Sequence, residues 1–182
     1  GEDEAVWQLG LRIVGRLREL TDTLAAREQL NFTAYATPAE GLSGRFTQID
    51  RDNVGAIPGV TDKGYYTNSF HVPVDCVISA FAKIEREAPF HRLCNAGHIC
   101  YVELPAAPEH NPAAIEKLLR HMAAHDAGYA GINFPLDECA CGRYGLLDDT
   151  CPACRGREIK RLRRITGYLS TSDRFNAGKR AE

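Results

Sequence analysis

No run of apolar residues in this chain approaches the ~18 that a membrane-spanning helix needs, which excludes an integral helical membrane protein. Neither sign of charge dominates. Lys and Arg number 22 against 24 Asp and Glu, a net charge of −2, which excludes a histone-like coat of nucleic acid. The start, Gly1-Glu2-Asp3-Glu4, has neither the basic residues nor the apolar stretch of a secretory signal, and no initiator Met. A fragment or a processed product would begin this way. Internal repeats and low-complexity linkers are absent. What is present is ordinary globular composition: 182 residues, 44% hydrophobic and 25% charged, enough for one sizeable core and at most two domains.

Seven Cys without a secretion signal point to a reducing, cytoplasmic compartment, and an odd number cannot all pair within one chain. Cys76, Cys94 and Cys100 are scattered through apolar contexts and read as packing residues. Cys139, Cys141, Cys151 and Cys154 cluster instead. Charge is uneven as well: residues 155–182 carry a net +6 and the preceding 154 residues −8.

The periodicity predicts a helix over 3–30, where Val6, Leu9, Ile13, Leu17, Leu20 and Leu24 form one apolar stripe. Phe32 to Thr37 reads as a short strand ended by Pro38, and residues 50–68 as loop. Phe70 to Val74 alternates like a strand, and Val77 to Arg86 reads as a helix. His98 to Leu104 is a strand. Asn111-Pro112 opens a helix with Asn at the cap and Pro in the first turn; Ile115, Leu118, Leu119 and Met122 form its apolar face and Gly128 is its stop. Tyr129 to Phe134 is the next strand. Strand, helix and strand over 98–134 make a parallel crossover, so the body is α/β. The pattern changes near Pro135.

Cys139-Ala140-Cys141 and Cys151-Pro152-Ala153-Cys154 are two close pairs with nine residues between them. Two short knuckles joined by a turn supply four thiolates at tetrahedral corners, which is what zinc takes. Gly142, Gly145 and Gly156 permit tight turns around such an ion. A redox dithiol pair is the alternative for the same residues. His121 and His125, at i and i+4, offer either a metal-binding pair or a solvated helix face. Taken with the basic run after it, the cluster also fits a nucleic-acid-binding zinc ribbon. Ile159, Leu162 and Ile165 within that run argue for a segment anchored inward, with its Arg and Lys facing solvent or a partner.

The tail carries a more specific pattern. Arg163-Arg164-Ile165-Thr166-Gly167-Tyr168-Leu169-Ser170, then Arg174-Phe175-Asn176, resembles the glycyl-radical motif of anaerobic (class III) ribonucleoside-triphosphate reductases. Other stretches resemble the same family. They include Asn31-Phe32-Thr33, Ala36 to Phe46, Ile57 to Asp62, Tyr65 to Val74, Asn95-Ala96-Gly97-His98 and Ile132 to Asp137. The resemblance runs from about residue 20 to the end, with the cysteine cluster in the right order before the Gly motif.

A glycine suits this chemistry. A radical on its Cα is delocalised over the flanking amides, and with no side chain the centre flattens at little steric cost. By position in the motif, Gly167 is the implied radical site; alone, the same glycine would read as a turn residue. The resemblance implies the C-terminal part of a ten-stranded α/β barrel, with a small four-cysteine zinc knuckle and a radical loop. In these terms the chain divides into a barrel portion over 1–135, a knuckle over 136–158 and a radical loop and tail over 159–182. The family implies a radical S-adenosylmethionine activating enzyme that abstracts the Gly hydrogen. It also implies ribonucleoside triphosphates as substrates, formate or a thiol as reductant, and a homodimer, with no membrane and no direct nucleic acid. The thiyl cysteine and the N-terminal nucleotide-sensing region belong to parts of the family that this chain does not contain. Glu40, Asn68, Ser69 and His71 are candidate substrate-side residues, with turn and strand-end roles as the alternative. Two departures stand out. The first pair is CxC rather than CxxC, and Arg155 follows the second pair where Gly is usual.

Overall fold

A computed structural model describes residues 3–37, 39–165, 168–175 and 179–180. The chain forms two compact units. The first comprises 1–39, 67–102 and 113–131, the second 40–66, 103–112 and 132–182.

In the first unit, α1 (Glu4–Glu28) begins at Asp3, whose side chain accepts from the Ala5 and Val6 N–H groups, and ends at Gln29 in the left-handed region. Its apolar stripe is not buried. Val6, Leu9, Ile13, Leu17 and Leu20 are all exposed, and α1 has no fully buried residue. It touches α3 (Ala80–His91) through Trp7, whose indole N–H donates to the Arg86 carbonyl, while the Arg86 guanidinium lies over the Trp7 ring and pairs with Glu4 at 2.5 Å. The predicted helix over 77–86 thus starts three residues later, capped by Ser79, and runs on through Pro89.

Strand β1 (Cys100–Glu103), helix α4 (Pro112–Ala124) and strand β2 (Ala130–Asn133) are the predicted crossover. Cys100 N–H donates to Tyr129 and Leu104 N–H to Asn133. The constant offset between donor and acceptor marks a parallel pair. Leu118 and Met122 are buried and Leu119 is exposed. Gly128 is not the helix stop. Asp126, at φ 55°, turns the chain, and Ala127 N–H returns to the Met122 carbonyl. Gly128 serves a close approach instead, since a Cβ there would sit 2.5 Å from the His98 ring.

Two predicted strands are absent. Residues 32–37 make only an isolated parallel bridge, Tyr35 to Gly97, and 70–74 are turn and extended chain. In the second unit, α2 (Glu40–Val54) was not predicted, and it takes up the first residues, 50–54, of the predicted loop over 50–68. Its buried face is polar: Ser43 and Thr47 are buried while Leu42, Phe46 and Ile49 are exposed. Arg51 donates to the carbonyls of Thr61 and Lys63, and Tyr66 donates to Asp50, which fastens the following loop to α2.

The rest of this unit is a four-stranded antiparallel sheet in the order β4-β3-β5-β6, with β3 Leu136–Cys139, β4 Tyr144–Gly145, β5 Ile159–Ile165 and β6 Tyr168–Thr171. Cys139, at the end of β3, and the two strands before and after residues 166–167 therefore belong to one sheet, with Cys139 opposite Ile159 and Ile165 opposite Tyr168. The architecture is mixed α/β. No described helix is long and apolar enough to cross a membrane.

Candidate functional site

The four clustered cysteines converge. Cys139 ends β3 and Cys141 follows across a tight turn in which Gly142, at φ 87°, donates to the Cys139 carbonyl. In the second knuckle the Cys151 and Arg155 amides bond to the Gly156 and Cys151 carbonyls. Arg155 sits at φ 59°, a left-handed conformation that glycine adopts freely and a branched chain does not. Gly156 packs so closely that a Cβ would lie 3.1 Å from the Cys154 sulfur.

The Sγ atoms of Cys139 and Cys154 are 3.6 Å apart and those of Cys141 and Cys151 3.7 Å, and all four lie within 4.8 Å of one another. A tetrahedron of zinc–sulfur bonds near 2.3 Å has edges of roughly 3.8 Å, so the donors fit that ion, and the CxC spacing does not prevent it. Electrostatics agree. Backbone N–H groups, that of Cys154 foremost, bring Cys151 down to about 6. Cys139, despite the Cys141 N–H that lowers it, is pushed up to about 12 by desolvation and by its neighbours' sulfurs. Cys151 ionises readily while Cys139 and Cys154 resist, so a cation is what lets the cluster bind as thiolates.

The sheet behind the knuckles is locked by ion pairs. Asp137, fully buried on β3, accepts from Arg163 at 2.5 Å, from Arg161 at 3.3 Å and from the Leu147 N–H. Arg161 also reaches Asp149 and the Leu147 carbonyl. Arg164 pairs with Glu103, which also accepts from Asn133. The expectation that these arginines face solvent is thereby corrected. In a strand, side chains of 159–165 alternate between two faces, and both are partly covered. Gly167 lies outside the described residues. The strands on either side of it are β5 and β6.

Of the substrate-side candidates, Asn68, Ser69 and His71 share one turn in the first unit. His71 N–H donates to the Asn68 carbonyl and Ser69 stands at φ 53°. Ser69 and His71 line a cleft of about 330 Å³ with Trp7, Ile13 and Phe90. Glu40 begins α2 in the other unit, and its side chain is not described. What the sequence did not flag is the group behind His71. Glu87 is fully buried and takes Lys83 at 2.6 Å, His71 Nδ1 at 3.3 Å and the Val72 N–H at 2.8 Å. Burial opposes its ionisation, yet His71 and Lys83 outweigh that and bring it down to about 2. The buried Cys100 thiol is pushed up to about 12, first by burial and then by Glu87. Burial and the neighbouring His98 bring His91 down to about 4. The signal for this cluster was Lys83 and Glu87 at i and i+4 on an otherwise apolar helix face.

The profile of a family described as "Anaerobic ribonucleoside-triphosphate reductase" matches residues 1–182. The match therefore extends through α1, beyond the stretches singled out in the sequence. The chain is 41% identical, over 192 aligned residues, to the anaerobic ribonucleoside-triphosphate reductase of Escherichia coli, covering 100% of this chain and 27% of that one. The corresponding protein of Haemophilus influenzae is 37% identical, again over 100% of this chain and 27% of its own length. The chain thus spans about a quarter of the length of these relatives. Among solved structures, an anaerobic ribonucleotide reductase from Thermotoga maritima with dATP bound in the specificity site has the same fold over 95% of this chain and 28% of that one. The TM-score is 0.76 and the identity 20%.

Proposed function

Because the chain belongs to the anaerobic ribonucleoside-triphosphate reductase family, we propose that it is the radical-bearing C-terminal part of a reductase that converts ribonucleoside triphosphates to deoxyribonucleotides. The observation that supports the reading is the four-cysteine cluster joined through Cys139 to the sheet whose strands β5 and β6 flank Gly167 in sequence. Zinc, when bound, closes its shell with four thiolates and supplies rigidity rather than an open catalytic position. Cys139, Cys141, Cys151 and Cys154 hold it, and Asp137 with Arg161 and Arg163 stiffens the strands that lead to Gly167.

Gly167 stores the radical. Its Cα–H exchanges one hydrogen atom with a cysteine thiol outside this chain, and that cysteine acts on the ribose. A radical S-adenosylmethionine enzyme first removes the Gly167 hydrogen. Formate or a thiol supplies the two electrons of reduction, and the 2′ hydroxyl leaves as water. Glu40 is a separate candidate at the start of α2, and in the first unit the Asn68–His71 turn is the substrate-side element. There Glu87 stays ionised and keeps His71 Nδ1 engaged, which leaves the His71 Nε2 edge for a ligand.

The division into a barrel portion over 1–135, a knuckle over 136–158 and a radical loop over 159–182 describes roles. Strands β1 and β2 are late strands of a ten-stranded barrel that the longer protein completes. The exposed apolar stripe of α1 supports that view, as does the chain's share of its relatives' length. The enzyme acts as a cytoplasmic homodimer. A nucleic-acid ribbon is disfavoured because Arg161, Arg163 and Arg164, half of the six basic residues in 155–164, are committed to carboxylates within the unit. Exposure of the activated reductase to air should cleave the backbone at Gly167. Mass spectrometry should find the truncated chain in the wild type and none in Gly167→Ala. Cleavage elsewhere, or equal cleavage in the variant, would refute the assignment.

A further inference from the structure

Helices α3 and α4 bring together a second set of ligating side chains that the radical chemistry does not use. Glu85 projects from α3. His121 lies in the last turn of α4, and His125 stands one turn on, its N–H still bonded to the His121 carbonyl. Glu85 Oε1 is 3.2 Å from His121 Nε2 and 3.9 Å from His125 Nε2, and the three ligand atoms lie within 4.8 Å of one another. The two imidazole rings are 4.3 Å apart. Phe81 meets the His121 ring edge-on at 4.9 Å, which holds the ring, and its carbonyl, 3.3 Å from His121 Nε2, accepts from that nitrogen only while it carries a proton, a contact that an ion would displace.

We propose that Glu85, His121 and His125 form a second metal site, one carboxylate and two imidazoles, for a divalent transition ion. Bonds of about 2.0–2.1 Å from nitrogen and oxygen to a tetrahedral ion set ligand–ligand edges of roughly 3.3 Å. The Glu85–His121 edge is already there. The Glu85–His125 edge needs about half an ångström, which these two groups can supply, being the more exposed of the three. Imidazole and carboxylate donors select zinc, cobalt, nickel or copper(II) over the hard cations magnesium and calcium. Three protein ligands and solvent access leave the fourth position to water. Lys117, one turn before His121 and over the Phe81 ring, places a positive charge nearby, so this site is weaker than the four-thiolate one. The ion would clip α3 to α4 two residues from Glu87.

A metal-free imidazolium–carboxylate cluster is the competing account of the same contacts, and stoichiometry separates the two. Protein whose cysteine cluster is filled with zinc is dialysed against micromolar nickel and its metals are counted. The wild type should retain about one nickel per chain, and its thermal midpoint should rise by roughly 5 °C once nickel is well above its dissociation constant. Glu85→Gln and His125→Ala should each bind at least about tenfold more weakly with zinc content unchanged. His125 lies beyond the helix end and is partly exposed, so its replacement leaves the fold intact. No nickel uptake by the wild type, or undiminished uptake by His125→Ala and Glu85→Gln, would overturn the site.

Discussion

Among the described residues each compact unit buries one carboxylate completely, Glu87 in the first and Asp137 in the second, and the two are held in different ways. Glu87 sits on a helix and takes Lys83 from its own helix and His71 from a turn. Asp137 sits on a strand and takes Arg161 and Arg163 from the strand beside it. The two guanidinium groups are rigid planar forks, whereas Lys83 is a point charge on a flexible stem. The apolar support differs too. The first unit packs Ile84, Phe90, Val102, Leu118 and Met122, while the core around the knuckles is Cys139, Leu147 and Cys151 with Ile159 against it. The first unit therefore has an apolar core of its own around its buried carboxylate. The knuckle sheet relies instead on fixed charges and on four cysteines placed to hold a metal.

The sharpest way to break that contrast is Cys151→Ser. Structural zinc contributes about 10 kcal/mol or more to small folds, so its loss should strip amide-exchange protection from β3 and β5 and leave α3 and α4 protected. Wild-type protein should hold about one zinc per chain and the variant none. Equal loss of protection in α3 and α4 would mean that the two units do not stand on separate supports.

The carboxylates come next. Asp137→Ala leaves Arg163 without its carboxylate and Arg161 with only the exposed Asp149, and should cost about 3 kcal/mol in denaturant unfolding. Glu87→Ala should cost less, about 2 kcal/mol, because the one cation left behind, Lys83, has a flexible stem that can turn to solvent. A larger loss for Glu87→Ala would reverse the comparison.

How much of this was legible in the sequence follows the same division. The cysteine spacing announced the knuckle because ligand chemistry fixes residue types. The crossover over 98–134 was legible because Asn111-Pro112 and the Leu118/Met122 face obey local rules. Helix α2 was not, because its buried face is Ser43 and Thr47, which hydropathy reads as surface. The predicted strands at 32–37 and 70–74 failed because alternation alone cannot supply a pairing partner. Asp137 was hidden because its arginines lie more than twenty residues away and meet it only through strand pairing.

Acidity should separate the units by a comparable margin. His91, buried with its Nε2 unpartnered and its Nδ1 accepting from Gly128, is held near 4 against an ordinary 6.5. The unfolded chain binds this proton more readily, so stability is full above about pH 6.5 and falls by roughly 3 kcal/mol as pH drops through 4. Glu87, lowered from 4.5 to about 2, adds a second loss as pH falls from 4.5 through 2. His91→Phe should flatten the first decline. An unchanged slope in that variant would assign it to other groups.

The smallest effect is a gain. Arg155→Gly relieves the left-handed strain in the second knuckle and should add about 1 kcal/mol to stability without altering zinc content.

The central claim is that Gly167 carries the radical, and electron paramagnetic resonance tests it most directly. The oxygen-free reductase containing this sequence, activated by its radical S-adenosylmethionine partner, should show a doublet from the one hydrogen left on the Gly167 Cα. Cα-deuterated glycine should collapse the doublet, and Gly167→Ala should abolish the signal while zinc stays bound. A signal that survives in Gly167→Ala, or a doublet indifferent to the deuterium, would contradict the assignment.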